Sequence, residues 1–228
     1  MVTASDNLIA APADYLCGLT WDGSYLWHSD QHAATIYAID RGTGTVVRRL
    51  PCDYVRSDLT FDGSMLCQVG GRPKRLVLIE PRTGKVTGHK EILPASGRVT
   101  GVEIGPEGVW MCLRAPTVVH LRDYATMQVK REFAVPGGAP SGLTYANGVV
   151  VYGEYEPGTL RAIDPADGSH IGSIRVDGRP TGIAWDGDRL WYCDLPGRMI
   201  RSIDRARLVG LLRRARRGQV RVHRGRPA

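Results

Sequence analysis

Glu154 stands between Gly153 and Tyr155 at the end of an apolar run, VVVYGEY. Burial there would raise the pKa of a carboxyl and suit it to act as a general base. His28, directly after Trp27, and Tyr192, directly after Trp191, are the groups that could act as its acid partner. Arg56 and Arg98 would orient an anionic or polar substrate, with Asp58, Asp194 and Tyr152 as further polar contacts. The chemistry expected is proton transfer on a small molecule, as in a lyase or cyclase. Each residue also has a plainer role. An Asp that ends a strand, as Asp30 and Asp194 would, often only caps a loop. Exposed arginines pair with such carboxylates to little effect, and a histidine beside a tryptophan is commonly packed. A non-catalytic binding or scaffold protein is therefore the alternative reading.

Five cysteines, Cys17, Cys52, Cys67, Cys112 and Cys193, form no CxxC pair, which argues against a disulfide framework and a zinc ribbon. Thiolate ligation would need sulfurs about 2.3 Å from one zinc ion, and buried inert thiols are the simpler expectation. No Ser-His-Asp elbow, phosphate loop, HExxH or calcium loop occurs. No motif thus indicates a cofactor, and a divalent metal is left open.

What must position these side chains is a repeat. GLTWDGSYLWHSD is followed by TIYAID, DLTFDGSMLCQVG by RLVLIE, and GVEIGPEGVWMCLR by VVHLRD. GLTYANGVVVYGEY is followed by TLRAID, and GIAWDGDRLWYCD by MIRSID. The turn glycines Gly23, Gly63, Gly108, Gly148 and Gly187 lie 40, 45, 40 and 39 residues apart. Asp-Gly and Asn-Gly between apolar runs mark tight hairpins. Each unit reads as a four-stranded antiparallel meander that can bury its faces only by stacking on its neighbours, as in a β-propeller. At roughly 41 residues per unit, five blades need roughly 205 residues and six roughly 246. A chain of 228 residues holds five. The expected fold is all-β, a five-bladed β-propeller of four-stranded antiparallel blades over residues 1–204, with a short basic helical extension over 205–228. The fifth unit lacks an outer strand after Asp204, and Asn7–Ala10 would supply it and close the ring.

In such a ring the first strand of each blade lines the channel, and its start shares one face with the end of the second strand. That face gathers Tyr15, Cys17, Arg56, Asp58, Arg98, Thr100, Ser141, Arg179 and Thr181 from strand starts. Strand ends and the loops after them add His28, Asp30, His32, Gln68, Arg72, Arg114, Tyr152, Glu154, Tyr155, Tyr192 and Asp194. Convergent polar groups around a concavity make this mouth the expected site. Trp21, Trp27, Trp110, Trp185 and Trp191 recur at equivalent repeat positions and are expected to pack between blades.

GLTWDGSYLWHSD with TIYAIDRGTGTVV, and GLTYANGVVVYGEY with TLRAIDPADGSHIG, resemble the glutaminyl-peptide cyclotransferases of the plant and bacterial type. LWYCD is similar to the LWFTE repeat of streptogramin B lyases. The likeness covers about residues 10–204. The first resemblance implies a five-bladed propeller. The second, to seven-bladed metal-assisted lyases, implies a role for the carboxylate of Glu154, matched by Asp30 and Asp194. The chain departs from both patterns. His28 stands where the cyclotransferases place a glutamate, and Gly153 and nearby Tyr155 where they carry an asparagine–tryptophan pair. The paired histidines of the lyases have no counterpart.

The formal net charge is +7, but residues 201–228 hold ten arginines and one aspartate, a local +9, which leaves −2 on the first 200 residues. Leu208, Val209, Leu211 and Leu212 between arginines suggest an amphipathic helix docked on the last blade, with Gln219–His223 as an alternative edge strand. Weak contact with nucleic acid or an anionic surface is what such a tail would make. No run approaches the roughly eighteen apolar residues of a membrane helix. MVTASDNLIAAPADYL lacks the basic start and apolar run of a secretory signal. A soluble cytoplasmic protein that meets a small-molecule substrate or ligand is expected.

Overall fold

The computed structural model describes residues 7–92, 97–204, 206 and 208. Strand β1 (Leu8–Ala10) precedes the first blade, which is β2 (Leu16–Trp21), β3 (Leu26–Asp30), β4 (Thr35–Ile39) and β5 (Val46–Pro51). Blade two is β6 (Leu59–Phe61), β7 (Leu66–Gly70), β8 (Arg75–Ile79) and β9 (Val86–Glu91). Blade three is β10 (Arg98–Gly105), β11 (Gly108–Arg114), β12 (Val118–Arg122) and β13 (Val129–Ala134). Blade four is β14 (Pro140–Ala146), β15 (Val149–Glu154), β16 (Thr159–Ile163) and β17 (His170–Arg175). Blade five is β18 (Pro180–Trp185), β19 (Arg189–Asp194) and β20 (Met199–Asp204), and its fourth strand is β1, with Ile9 opposite Ile200. All pairings are antiparallel, and the N-terminal strand closes the ring as the sequence pattern predicts.

The turns explain the strand lengths. Asp22 accepts the backbone N–H groups of Ser24 and Tyr25 (both 2.7 Å) and the Trp27 indole N–H (2.6 Å). Asp186 repeats the arrangement in blade five with Asp188, Arg189 and Trp191. One carboxylate thus fixes the hairpin and orients the tryptophan that packs beside it. Five separate hydrophobic cores lie between consecutive blades, and all five tryptophans belong to them or pack against them. β3, β7 and β15 are buried on both faces because a neighbouring blade covers each. The outer strands β9 and β13 alternate between exposed and partly buried residues, and charged side chains such as Arg48 on β5 and Lys130 on β13 discourage edge-to-edge pairing.

Around the axis, Gly18, Gly101, Gly142 and Gly182 hold equivalent positions in four innermost strands. A Cβ at Gly18 would lie 2.4 Å from the backbone nitrogen of Leu59, and one at Gly142 would lie 1.6 Å from the Thr181 carbonyl oxygen. The strands approach more closely than any side chain permits. The fifth member of the ring is Asp58. Its Oδ1 accepts the N–H of Leu19 (3.3 Å) and Leu59 (3.0 Å), and its Oδ2 that of Val102 (3.1 Å) and Leu143 (3.3 Å). One carboxylate joins four of the five blades.

Of the extension expected over 205–228, only Ala206 and Leu208 are described, and Leu208 is buried with Val151, Leu160 and Ala162. The expected helix beyond it and the Gln219–His223 strand lie outside the described residues.

Candidate functional site

Four of the five innermost strands, β2, β10, β14 and β18, bulge beside the axial ring, and the residues just before the ring form the floor of a mouth: Cys17, Ser57, Thr100, Ser141 and Thr181. Four of these side chains are hydroxyls, and each donates to a carbonyl of the next blade. Ser57 reaches Val99 (3.0 Å), Thr100 reaches Pro140 (2.7 Å), Ser141 reaches Pro180 (2.6 Å), and Thr181 reaches Leu16 (3.0 Å). At the fifth position stands Cys17, whose thiol turns to Gln31 (3.9 Å). Blades one and two are linked instead by the Asp58–Leu19 bond. Thr181→Val keeps the shape and removes one link. It should lower the unfolding free energy by about 1 kcal/mol, read as an earlier urea midpoint, and an unchanged midpoint would show that the link contributes nothing.

Above this floor is a cavity of about 290 Å³, also lined by Tyr15, Leu16, Gln31, Arg56, Arg98, Arg114, Tyr155 and Leu195. The loops around it are held by carboxylates at the ends of second strands. Asp30 accepts the N–H of Tyr15 (2.7 Å) and Ala33 (2.8 Å). Glu154 accepts the N–H of Gly138 (2.9 Å) and Arg161 Nε (2.7 Å). Asp194 accepts the N–H of Arg179 (3.1 Å) and Gly197 (3.3 Å), and Arg201 Nε (2.9 Å). Blades two and three carry Gly70 and Arg114 at this position and so bring no acid. Arg114 donates from Nε to the Pro140 carbonyl (2.9 Å), and Arg56 from Nη1 to the Val55 carbonyl (2.6 Å). No carboxylate among the described residues pairs with Arg56, Arg98 or Arg114. Burial, then the charges of Arg98, Arg56 and Arg72, pushes Lys74 below its usual pKa, and burial and Arg98 do the same to Arg114. The wall formed by blades two and three is therefore a field of uncompensated positive charge.

Among the residues predicted to act, Arg56 and Arg98 line this cavity. Glu154, His28 and Tyr192 do not meet in it. Glu154 is spent on the Gly138 N–H, in the connection that leads into blade four, and on Arg161. His28 is wholly buried, with Nδ1 3.2 Å from the Gly18 carbonyl oxygen and 3.7 Å from Cys193 Sγ. Burial holds its pKa down at about 4, so the ring is neutral near pH 7. The hydroxyls of Tyr192 and Tyr152 donate to the loop carbonyls of Asp177 (3.2 Å) and Pro136 (2.9 Å). Asp194 caps a loop. Asp58, expected at the mouth, lies on the axis beneath the floor and is 1% exposed.

A further acid stands outside the set expected from sequence. Glu103 sits two residues beyond Gly101, where the other units have Thr20, Thr60, Thr144 and Ala184. That break in the repeat, GVE among GLT, DLT, GLT and GIA, is its only trace in the sequence. Its carboxyl accepts the hydroxyls of Thr60 (3.0 Å) and Thr144 (3.3 Å). It keeps a little accessible surface, but the confined space between Thr60 and Thr144 does not hydrate a charge as bulk water does. Burial raises its pKa to about 8.

No three His, Cys, Asp or Glu side chains among the described residues are placed to share a metal ion. A wall of arginines would also repel a divalent cation. The metal that the lyase resemblance suggests thus does not fit this mouth.

Closed axis, five four-stranded blades and an arginine-lined mouth define a small five-bladed β-propeller. No family model and no curated sequence matches the chain. Among solved structures it is similar to Myxococcus xanthus glutaminyl cyclase, at TM-score 0.73 and 17% identity, over 87% of this chain and 94% of that one. It is also similar to a chain of a nidogen/laminin complex, at TM-score 0.61 and 16% identity, over 86% of this chain and 78% of that one. At these identities the shared feature is the fold. No described helix is long and apolar enough to cross a membrane.

Proposed function

We propose that this propeller holds a small anionic ligand in its mouth. The observation that carries the reading is the set of three guanidinium groups, Arg56, Arg98 and Arg114, on one wall of the cavity without a carboxylate partner among the described residues. Guanidinium is the side chain best suited to carboxylate and phosphate oxygens, because its planar donors can bind two of them together. The fold's likeness to a glutaminyl cyclase is what favours lyase or cyclase chemistry. Within the mouth, however, the groups able to exchange a proton are Tyr15, Tyr155 and Cys17. Burial pushes the Cys17 thiol up to about 12, which keeps it un-ionised and a poor base. The arrangement supports holding an anion better than moving a proton. On this reading Glu154 and Tyr192 anchor loops, and His28 packs where blade one meets blade five.

The test is titration of inorganic phosphate into the parent protein and into Arg98→Ala and Arg114→Ala. Each substitution should weaken binding about tenfold, and the parent's affinity should fall with added salt. Binding that is equal in all three proteins sinks the reading, as does the absence of binding by inorganic phosphate and organic phosphates alike.

A further inference from the structure

The cavity has two unlike walls, and the difference points to more than charge. Arg56, Arg98 and Arg114 come from blades two and three. Tyr15, Leu16 and Leu195 face the cavity from the side of blades one and five, and Tyr155 from the end of blade four. The two tyrosines are braced by side chains that do not line the cavity. His32 stacks on Tyr15 at 4.3 Å and 29°, and is held in turn by Asp14 (3.4 Å). Arg179 lies 5.4 Å from the centre of the Tyr155 ring and pairs with Glu156 (2.9 Å). Rings stacked in this way already have part of their motion restricted before a ligand arrives. Between the walls, the floor hydroxyls of Ser57, Thr100, Ser141 and Thr181 have given their protons to carbonyls of the neighbouring blades. A sugar or polyol resting on that floor would find few donors.

We infer that the anion this mouth takes is amphipathic: an acid group carried on a flat apolar body, the acid on the arginines and the body between Tyr15, Tyr155 and Leu195. This rests on the anion reading above and names its ligand class. A bare inorganic anion would satisfy one wall and leave the other wetted. A neutral apolar molecule would strip water from guanidinium groups and return nothing. A cavity of about 290 Å³ is near the lower end for ligand pockets, which suits a single ring with one acid group.

Calorimetric titration of the unmodified protein with phenyl phosphate, glycerol 2-phosphate and inorganic phosphate separates the two ideas. Phenyl phosphate should bind about tenfold or more tightly than glycerol 2-phosphate, which has the same head group on a polar body. Tyr155→Ala should weaken phenyl phosphate about fivefold and leave inorganic phosphate unchanged. Equal binding of all three ligands would overturn the amphipathic inference and leave the anion reading in place. No binding of any at millimolar concentration would overturn both.

Discussion

Asp58→Ala is expected to be among the most destabilising single substitutions in this chain, lowering the unfolding free energy by on the order of 4 kcal/mol. The side chain does not fill a core, so the loss is not one of apolar contact. Its two oxygens accept four backbone N–H groups, those of Leu19, Leu59, Val102 and Leu143, from the innermost strands of blades one to four. Alanine would leave all four without that acceptor where the strands are too close for other side chains to enter. A buried donor left unpaired costs about 1–3 kcal/mol; water entering the vacated space would recover part of this. Burial pushes the Asp58 carboxyl pKa up, while the four donors favour its charged form. Asp58→Asn keeps one oxygen but replaces the other with an NH₂ that meets N–H groups head-on, and should do little better than Asp58→Ala. Urea unfolding of the two variants measures this directly. A loss below about 1 kcal/mol in both would mean that the blades hold their spacing without the carboxylate.

Glu103→Gln should change how stability depends on pH. The folded chain holds the Glu103 proton to about pH 8, against 4.5 for the exposed group. Between those values the native state binds more protons than the unfolded state, so this group's contribution is complete below pH 4.5 and declines as the pH rises to about 8. Glutamine keeps a neutral, hydrogen-bonding side chain beside Thr60 and Thr144 at every pH. The variant should therefore gain on the parent as the pH rises from about 5 to about 8, by on the order of 2–4 kcal/mol. The confined but not sealed position of the carboxyl argues for the lower part of that range. Unfolding free energies of the two proteins at matched pH values decide it, because most other titrating groups cancel in the difference. Parallel curves would show that Glu103 ionises as an ordinary carboxyl.

These two acids show where sequence reading succeeds and where it stops. The Asp-Gly turns, the tryptophans they orient and the spacing of about forty residues are local properties, repeated along the chain. They suffice to predict the blades, their number and the use of Asn7–Ala10 as the closing strand. The same repeat places Arg56, Arg98, Arg114, Thr100, Ser141 and Thr181 at one mouth, because a residue's place along a strand fixes which end of the propeller it occupies. Repeat position does not fix what a side chain turns toward. Asp30, Glu154 and Asp194 stand at the mouth's edge but bend back to backbone N–H groups of the loops beside them, and the positive wall arises because blades two and three have no acid there. By repeat position Asp58 reads as a mouth residue. Its partners lie up to 85 positions away, and only when four glycines from other repeats draw the strands together does a carboxylate fit on the axis. The chain by itself determined which strands form and in what order they stack. Which charges are spent within the protein and which face the mouth was decided by tertiary structure, because hydrogen-bond partners and desolvation come from neighbouring blades.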